Sequence, residues 1–416
     1  MTLEERSKLV LGFARVLYLN GQATDETVEA AERLGETLGL RATLFPRWGE
    51  LQLQAEDRDA RQMFAVAADP AGVNMDRVAS TMRTIEDLCA GRLTPTAAIV
   101  AIGKIAKRRP APTWLFTLAA GAGAVALAVL FGVQHIAAAA LIFVSAGAGA
   151  ILRRGLGKYS ANDFLQPFCA ALLAGLIGAL AVRYELSSSL RLVAACPCMI
   201  LVPGPHVLNG ALDLITGRIH LGSARLIYAG LVIVAISTGL LLGLALLGVS
   251  FPIDPAGRSV PLWVDTVAAG VAVFAYSVFF SMPLSMVAWP VAVGMVAHAL
   301  RWGVLSVFGA SAATGALVAC LIVGLILAPV SRRWRMPFAA IGFASVVSML
   351  PGVFLFRMAS GFVQLVKGSH TTLELLSATT ADGLIAFTII LAMSFGLIVP
   401  KLVIDYFGER AGQKGL

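Results

Sequence analysis

Charged residues are what this chain lacks most: Asp, Glu, Lys and Arg make up 13% of its 416 residues, against roughly 25% in ordinary soluble domains. So few charges cannot cover the surface of a soluble protein of this size. Cysteine is scarce too, five residues and an odd number, which excludes a disulfide framework. Cys196-Pro197-Cys198 is one residue too tight for the redox CxxC pattern, and no His/Cys set around it has zinc spacing, so neither a metal nor another cofactor is expected. There is no GxGxxG and no P-loop, so nothing points to nucleotide hydrolysis, and ATP-driven pumping would need a partner ATPase. No secretory leader is expected either, because Glu4, Glu5, Arg6, Lys8 and Arg15 interrupt the first residues. What abounds is apolar: 58% hydrophobic residues and a mean hydropathy of +0.83. That balance excludes a nucleic-acid-binding protein, a disordered chain, a collagen-like fibre and a stapled secreted module. It leaves a protein threaded many times through a lipid bilayer.

The net charge of +8 hides a split, because residues 1–103 hold 11 Lys+Arg against 15 Asp+Glu, whereas residues 104–416 hold 21 against 9. The basic excess thus belongs to the hydrophobic part, where short basic loops hold spans in place. Residues 1–110 read as a small α+β domain. Leu9, Val10, Phe13, Val16 and Leu17 recur at helical spacing up to Gly21, and a second helix is opened by Thr24 or Asp25 and stops near Gly39. Two short strands around Pro46-Arg47-Trp48-Gly49 predict a hairpin, and two further helices are predicted from about Asn74 and from Thr94-Pro95.

From Pro112 onward ten apolar runs follow, approximately 112–131, 135–152, 164–182, 190–216, 225–248, 263–281, 283–300, 303–330, 337–366 and 381–400. Each is near the roughly 20 residues needed to cross about 30 Å of hydrocarbon. The boundary between the sixth and seventh is marked only by Ser281-Met282-Pro283. With Lys104–Arg109 in the cytoplasm, fifteen loop cations fall on that side, the others being Arg153, Arg154, Lys158, Arg218, Arg225, Arg332, Arg333, Arg335, Lys401, Arg410 and Lys414. Five fall opposite, namely Arg183, Arg191, Arg258, Arg301 and Lys367. This bias predicts that the N-terminal domain and both termini are cytoplasmic.

The fourth run contains Met199-Ile200-Leu201-Val202-Pro203-Gly204-Pro205-His206, and the ninth contains Ser348-Met349-Leu350-Pro351-Gly352-Val353-Phe354. Both are apolar runs broken in the middle by Pro-Gly, and both are the fourth of a five-span set. Five is odd, so two sets with one fold must be inserted upside down relative to each other. The expected architecture is therefore a membrane all-α transporter of ten helices in two inverted five-helix repeats, residues 111–250 and 251–416. In such transporters the substrate sits near the midplane at broken helices. Pro removes a donor and Gly permits unwinding, so the freed backbone groups need protein, water or substrate as partners. A simple Pro kink is the plainer alternative for either motif alone.

These features together resemble a known family. Gly21, Leu38-Gly39-Leu40, Val202-Pro203-Gly204, Leu212-Asp213-Leu214-Ile215, Gly217, Gly222, Arg225, Leu350-Pro351-Gly352 and Phe356-Arg357 stand in the order found in the threonine/serine exporter (ThrE) family, in its form with both halves fused. The chain departs from the family at Asp25-Glu26-Thr27-Val28-Glu29, where an Arg-Val-Glu run is common. The resemblance implies secondary active export of small amino acids of the threonine/serine type across the bacterial cytoplasmic (inner) membrane, driven by the membrane potential or the proton gradient. Split relatives of the family imply export of dicarboxylates such as succinate as the alternative. No motif is a catalytic signature, so no enzyme is expected. A membrane-embedded enzyme would need acids, His or a nucleophile clustered at one depth, and a scaffold that merely displays the N-terminal domain would not need broken helices. Self-association into a homo-oligomer is left open.

Ionisable residues in a bilayer cost roughly 2.5 to 3.5 kcal/mol each on insertion scales, which makes the few present candidates. Asp213 follows the first Pro-Gly and Arg357 the second. Asp213 would hold a substrate ammonium and Arg357 a carboxylate, with Asn209 as a neutral partner and Pro203, Gly204, Pro351 and Gly352 supplying unwound backbone. Alternatively Asp213 and Arg357 pair with each other, or each faces water. His206, Asp265 and Asp382 are candidates for proton coupling, with His298 as a further histidine. Asp265 and Asp382 also read as first-turn acids at the openings of the sixth and tenth runs, facing water.

Overall fold

The computed structural model describes residues 1–58, 60–133, 135–160, 162–184, 190–251, 260–367 and 372–413. Arg258 and Lys414 of the loop cations, and the side chains of Arg191, Lys367 and Arg410, lie outside it. The chain opens with α1 (Leu3–Leu19), set by a capping box in which Thr2 and Glu5 bond each other's backbone. Gly21, at φ +91, turns it into α2 (Thr24–Thr37). A three-stranded antiparallel sheet follows, β1 (Arg41–Arg47), β2 (Gly49–Glu56) and β3 (Arg61–Ala68), with Leu44 paired to Leu53 and Leu53 to Phe64. The expected hairpin thus has a third strand. Asn74 caps α3 (Met75–Cys89), and Thr94 caps α4 (Pro95–Ala106) with Pro at its first turn. Leu9, Phe13, Leu17, Leu34, Leu51, Leu53, Val78 and Ile85 form the core of this head.

Apolar helices make up the rest of the described chain: α5 (Thr113–Leu130), α6 (Ile136–Leu156), α7 (Leu165–Arg183), α8 (Leu190–Met199), α9 (Gly204–Ile215), α10 (Ile219–Ala245), α11 (Leu262–Phe279), α12 (Ala288–Ser306), α13 (Ala312–Trp334), α14 (Phe338–Val346), α15 (Gly352–Lys367) and α16 (Leu373–Gln413). Eight described helices are long and apolar enough to cross a bilayer, and the count reaches ten if the bent pairs α8–α9 and α14–α15 each make one span. The bends are 52° and 65°, and at each the helix is interrupted, by the non-helical residues 200–203 and 350–351, rather than kinked within a continuous helix. Asp382 does not open its helix as expected, because α16 begins at Leu373.

The head is docked on one end of this bundle. The backbone N–H groups of Met75 and Asp76 donate to the carbonyls of Phe280 and Ser281 after α11, at 2.9 and 3.2 Å. Glu86 pairs with Arg335 after α13, and Asp25 with Arg218 before α10. Lys401 on α16 reaches Glu26 at 3.4 Å. Both α9 and α16 therefore end toward the head, while α14 starts there.

Candidate functional site

The two Pro-Gly breaks meet in the middle of the bundle. In the first, Ile200 to Pro203 are unwound between α8 and α9; in the second, a single 3-10 turn over Val347–Met349 precedes Leu350-Pro351. A Cβ on Gly204 would lie 1.6 Å from the ring of Phe343 on α14, and one on Gly352 would lie 2.9 Å from Met199. Only glycine lets the crossed half-helices come this close. One backbone group freed by the first break is satisfied from α11, since the Tyr276 hydroxyl donates to the Met199 carbonyl at 3.0 Å. The gap between the breaks is a cavity of about 40 Å³, walled by Val202, Val207, Leu208, Phe343, Val346, Leu350 and Leu355, with Ser394 as the one hydroxyl side chain in its lining. The gap has room for no more than a few waters, and its lining is apolar apart from Ser394 and the backbone; it forms an apolar seal between the two sides.

The charged candidates lie to either side of the seal. Asp213 is held 3.0 Å from Arg225 on α10, with both side chains almost wholly buried. The positive-φ Gly217 between α9 and α10 folds one helix back on the other and makes that pairing geometrically available. The head closes over the pair: Arg225 donates to the Thr24 hydroxyl at 3.4 Å, and its guanidinium lies 5.4 Å from the Tyr18 ring centroid. Burial pushes the Tyr18 hydroxyl up to about 12, against the pull of Arg225. Asn209 donates to the carbonyl of Gly21 at 3.2 Å, while its side-chain oxygen is buried without a hydrogen-bond partner among the described residues. His206 is buried with its ring 5.1 Å from that of Tyr228, facing the head backbone at Pro70 and Ala71.

On the other side of the seal Arg357 pairs with Asp382 of α16 at 3.0 Å, both almost wholly buried. Asp213 and Arg357 therefore pair not with each other but each with the following helix. Neither faces water, and Asp382 does not either. Asp265 stands in the first turn of α11 as expected, but it is buried and accepts from or donates to Nδ1 of His298 on α12 at 2.8 Å. Nε2 of His298 is hydrogen-bonded to the hydroxyl of Ser348, in the 3-10 turn of the second break. A continuous chain of polar groups thus runs from the first turn of α11 to the break.

Sequence reasoning did not assign the partners. In the sequence Arg225 reads as a loop cation, Ser348 as part of an apolar run and Thr24 as a helix opener, and Tyr18 carries no signal of its own. Each reaches its buried partner only through a helix or domain folded back on its neighbour. Among the described residues no cluster of His, Cys, Asp and Glu has the geometry of a metal site.

Residues 265–403 match the family model described as "Threonine/Serine exporter, ThrE", and residues 8–247 match the ThrE model described as "Putative threonine/serine exporter". The chain belongs to the threonine/serine exporter family, a family of membrane transporters rather than enzymes. It is 24% identical over 321 residues to a Mycobacterium tuberculosis protein named "Probable threonine/serine exporter". The alignment takes in 72% of this chain and spans 60% of that relative's length. No solved structure matches the chain.

Proposed function

We propose that this member of the family is a secondary active exporter of small amino acids of the threonine/serine type, seated in the cytoplasmic membrane and driven by the proton motive force. The observation that carries the reading is the direct contact of the two Pro-Gly breaks, Gly204 on Phe343 and Gly352 on Met199. The spans that carry them run in opposite directions relative to the head. Two inverted five-helix repeats account for this, and the packing supports them. The third helix packs on the fifth in each set (α7 on α10, α13 on α16), the first on the second (α5 on α6, α11 on α12), and the helix after the break on the fifth (α9 on α10, α15 on α16). The excess of basic loops on the head side supports a cytoplasmic head and cytoplasmic termini.

Substrate crosses where the breaks part. On the cytoplasmic side its ammonium competes with Arg225 for Asp213, with Asn209 released from the head as a neutral partner. On the outer side its carboxylate competes with Asp382 for Arg357. Each buried pair stands in for half of a zwitterion, so neither Asp213 nor Arg357 is left bare when the seal is shut. Pro203, Gly204, Pro351 and Gly352 let the half-helices swing apart. Protons enter opposite the head at Asp265 and pass through His298 to Ser348, which links their arrival to movement of the second break. His206, with its ring tilted against that of Tyr228, and Asp382, neutralised by Arg357, are secondary to that path.

Uptake of labelled threonine, serine and succinate into inverted vesicles, with and without an imposed proton gradient, tests the reading. Gradient-dependent uptake of threonine or serine is expected. Uptake of succinate alone would replace the amino-acid substrate with a dicarboxylate, and uptake of none would overturn the exporter.

A further inference from the structure

Arg153 sits in the last turn of α6 and faces inward, while its neighbour Arg154 turns away to the Phe116 ring and the Thr113 hydroxyl. Its Nε and Nη1 are buried without a hydrogen-bond partner among the described residues, and so is the hydroxyl of Ser145, two turns earlier on the same helix. Both side chains line one small cavity, of about 10 Å³, closed by Ala170 of α7, Phe279 of α11, and Pro197 and Ile200 at the first break. The guanidinium lies 5.2 Å from the Phe279 ring centroid, and the hydroxyls of Tyr276 and Tyr228 are within its electrostatic reach. Unlike Arg225 and Arg357, it has no carboxylate beside it in the described structure.

A buried guanidinium with bare donors is costly to keep unless an anion arrives. We infer that Arg153 and Ser145 form a carboxylate subsite on the head side of the first break, which receives the carboxylate of a small amino acid as it enters from the cytoplasm. This rests on the exporter reading and adds a contact to it. A single unneutralised cation matches one carboxylate, not two. The site is walled by α5, α6, α7, α8 and α11 and includes the unwound residues of the break, so filling it would bias the break toward opening. The cavity admits about one water-sized group as it stands, which makes widening part of binding. A lipid phosphate offers the same anionic chemistry from another source, but the walls from five helices and the contact with the break favour substrate.

The test compares L-threonine with L-threonine amide, which keeps the ammonium and loses the carboxylate charge. The full-length protein is reconstituted in vesicles of phosphatidylcholine with and without anionic lipid. Hydrogen bonds to charged groups contribute about 1.5–3 kcal/mol, so the wild type is expected to prefer threonine by roughly tenfold or more in half-saturation. Arg153→Gln is expected to raise the threonine half-saturation to the level of the amide, and Arg153→Lys to restore most of the preference. Thermal unfolding provides a second readout: threonine should stabilise the wild type and Arg153→Lys but not Arg153→Gln. An unchanged threonine half-saturation in Arg153→Gln would overturn the subsite and leave the exporter standing. So would an Arg153-dependent stabilisation by anionic lipid with no change toward threonine, since the occupant would then be a lipid phosphate. Failure of the wild type to take up threonine at all would overturn the exporter reading and the subsite with it.

Discussion

The Asp213 carboxylate on α9 and the Arg225 guanidinium on α10 lie 3.0 Å apart, and Arg357 on α15 and Asp382 on α16 repeat the contact at the same distance with the charges exchanged. In both halves the helix after the break supplies one charge and the next helix the other. Such a pair contributes little to stability as a unit but becomes expensive when one partner is removed, about 3–5 kcal/mol, because the survivor is a buried bare charge. Asp213→Asn is therefore expected to lower the unfolding temperature sharply, and Asp213→Asn with Arg225→Gln to recover much of the loss. Unfolding in detergent, followed for the three proteins, checks this; a double variant no more stable than the single one would mean the pair is not what Arg225 is held by.

The same pairs make a transport prediction. Asp213→Asn and Arg357→Gln each remove one partner of a zwitterion, and a lost charged hydrogen bond of about 1.5–3 kcal/mol corresponds to roughly tenfold or more in half-saturation. Threonine uptake by each variant is expected to fall accordingly. Wild-type uptake by both would remove these residues from the substrate path while leaving the fold and the family untouched.

His298 bridges Asp265 and Ser348, and a ring that both accepts and donates is what a proton path requires. Asn in its place keeps a polar side chain but cannot titrate. His298→Asn is expected to abolish stimulation of uptake by a proton gradient and to leave exchange of labelled for unlabelled threonine intact. Stimulation that survives the substitution would place coupling elsewhere, with Asp382 and His206 next to be examined.

Much of this architecture is legible locally. Thr94-Pro95 and Asn74 announce their helices because capping is a matter of adjacent residues, and Pro-Gly inside an apolar run announces a break for the same reason. β3 is not legible in this way: Phe64, Val66 and Ala68 face the core, but the exposed residues between and before them, Met63, Ala65 and Ala67, are apolar too, so the alternation is blurred in the sequence. Span ends slip where hydropathy continues into a turn, as at Val307 and Phe308 before α13, both apolar and exposed. The partners of Asp213, Arg357 and Asp265 are set by which helices fold against each other, and the bare donors of Arg153 are visible only once the surrounding walls are in place. A cation near a span end looks the same in a sequence whether it points to water or inward.

The seal between the breaks can be strained deliberately. A methyl group on Gly204 would sit inside the Phe343 ring, at 1.6 Å, and overpacking of this kind costs typically about 1–3 kcal/mol. Gly204→Ala is expected to lower stability and slow transport, and Phe343→Leu in the same chain to restore part of both. If Gly204→Ala alone behaves as wild type, the breaks are not in the contact described.

Glu26 of the head lies 3.4 Å from Lys401 on α16, with Asp405 beside them. Burial raises its carboxyl above the ordinary range, and Lys401 offsets this only in part. A carboxyl raised in the folded state binds its proton more tightly there than in the unfolded chain. Its contribution to stability is therefore fully present below the ordinary value of about 4.3 and is lost as pH rises through the folded value. The junction between head and bundle should accordingly weaken from mildly acid toward neutral pH. Other groups titrate in the same window, so the informative quantity is the difference between wild type and Glu26→Gln, which cannot titrate. The unfolding temperature of the wild type is expected to fall relative to that of Glu26→Gln as pH rises. A difference that is constant with pH would show that Glu26 titrates normally and that Lys401, rather than burial, governs the contact.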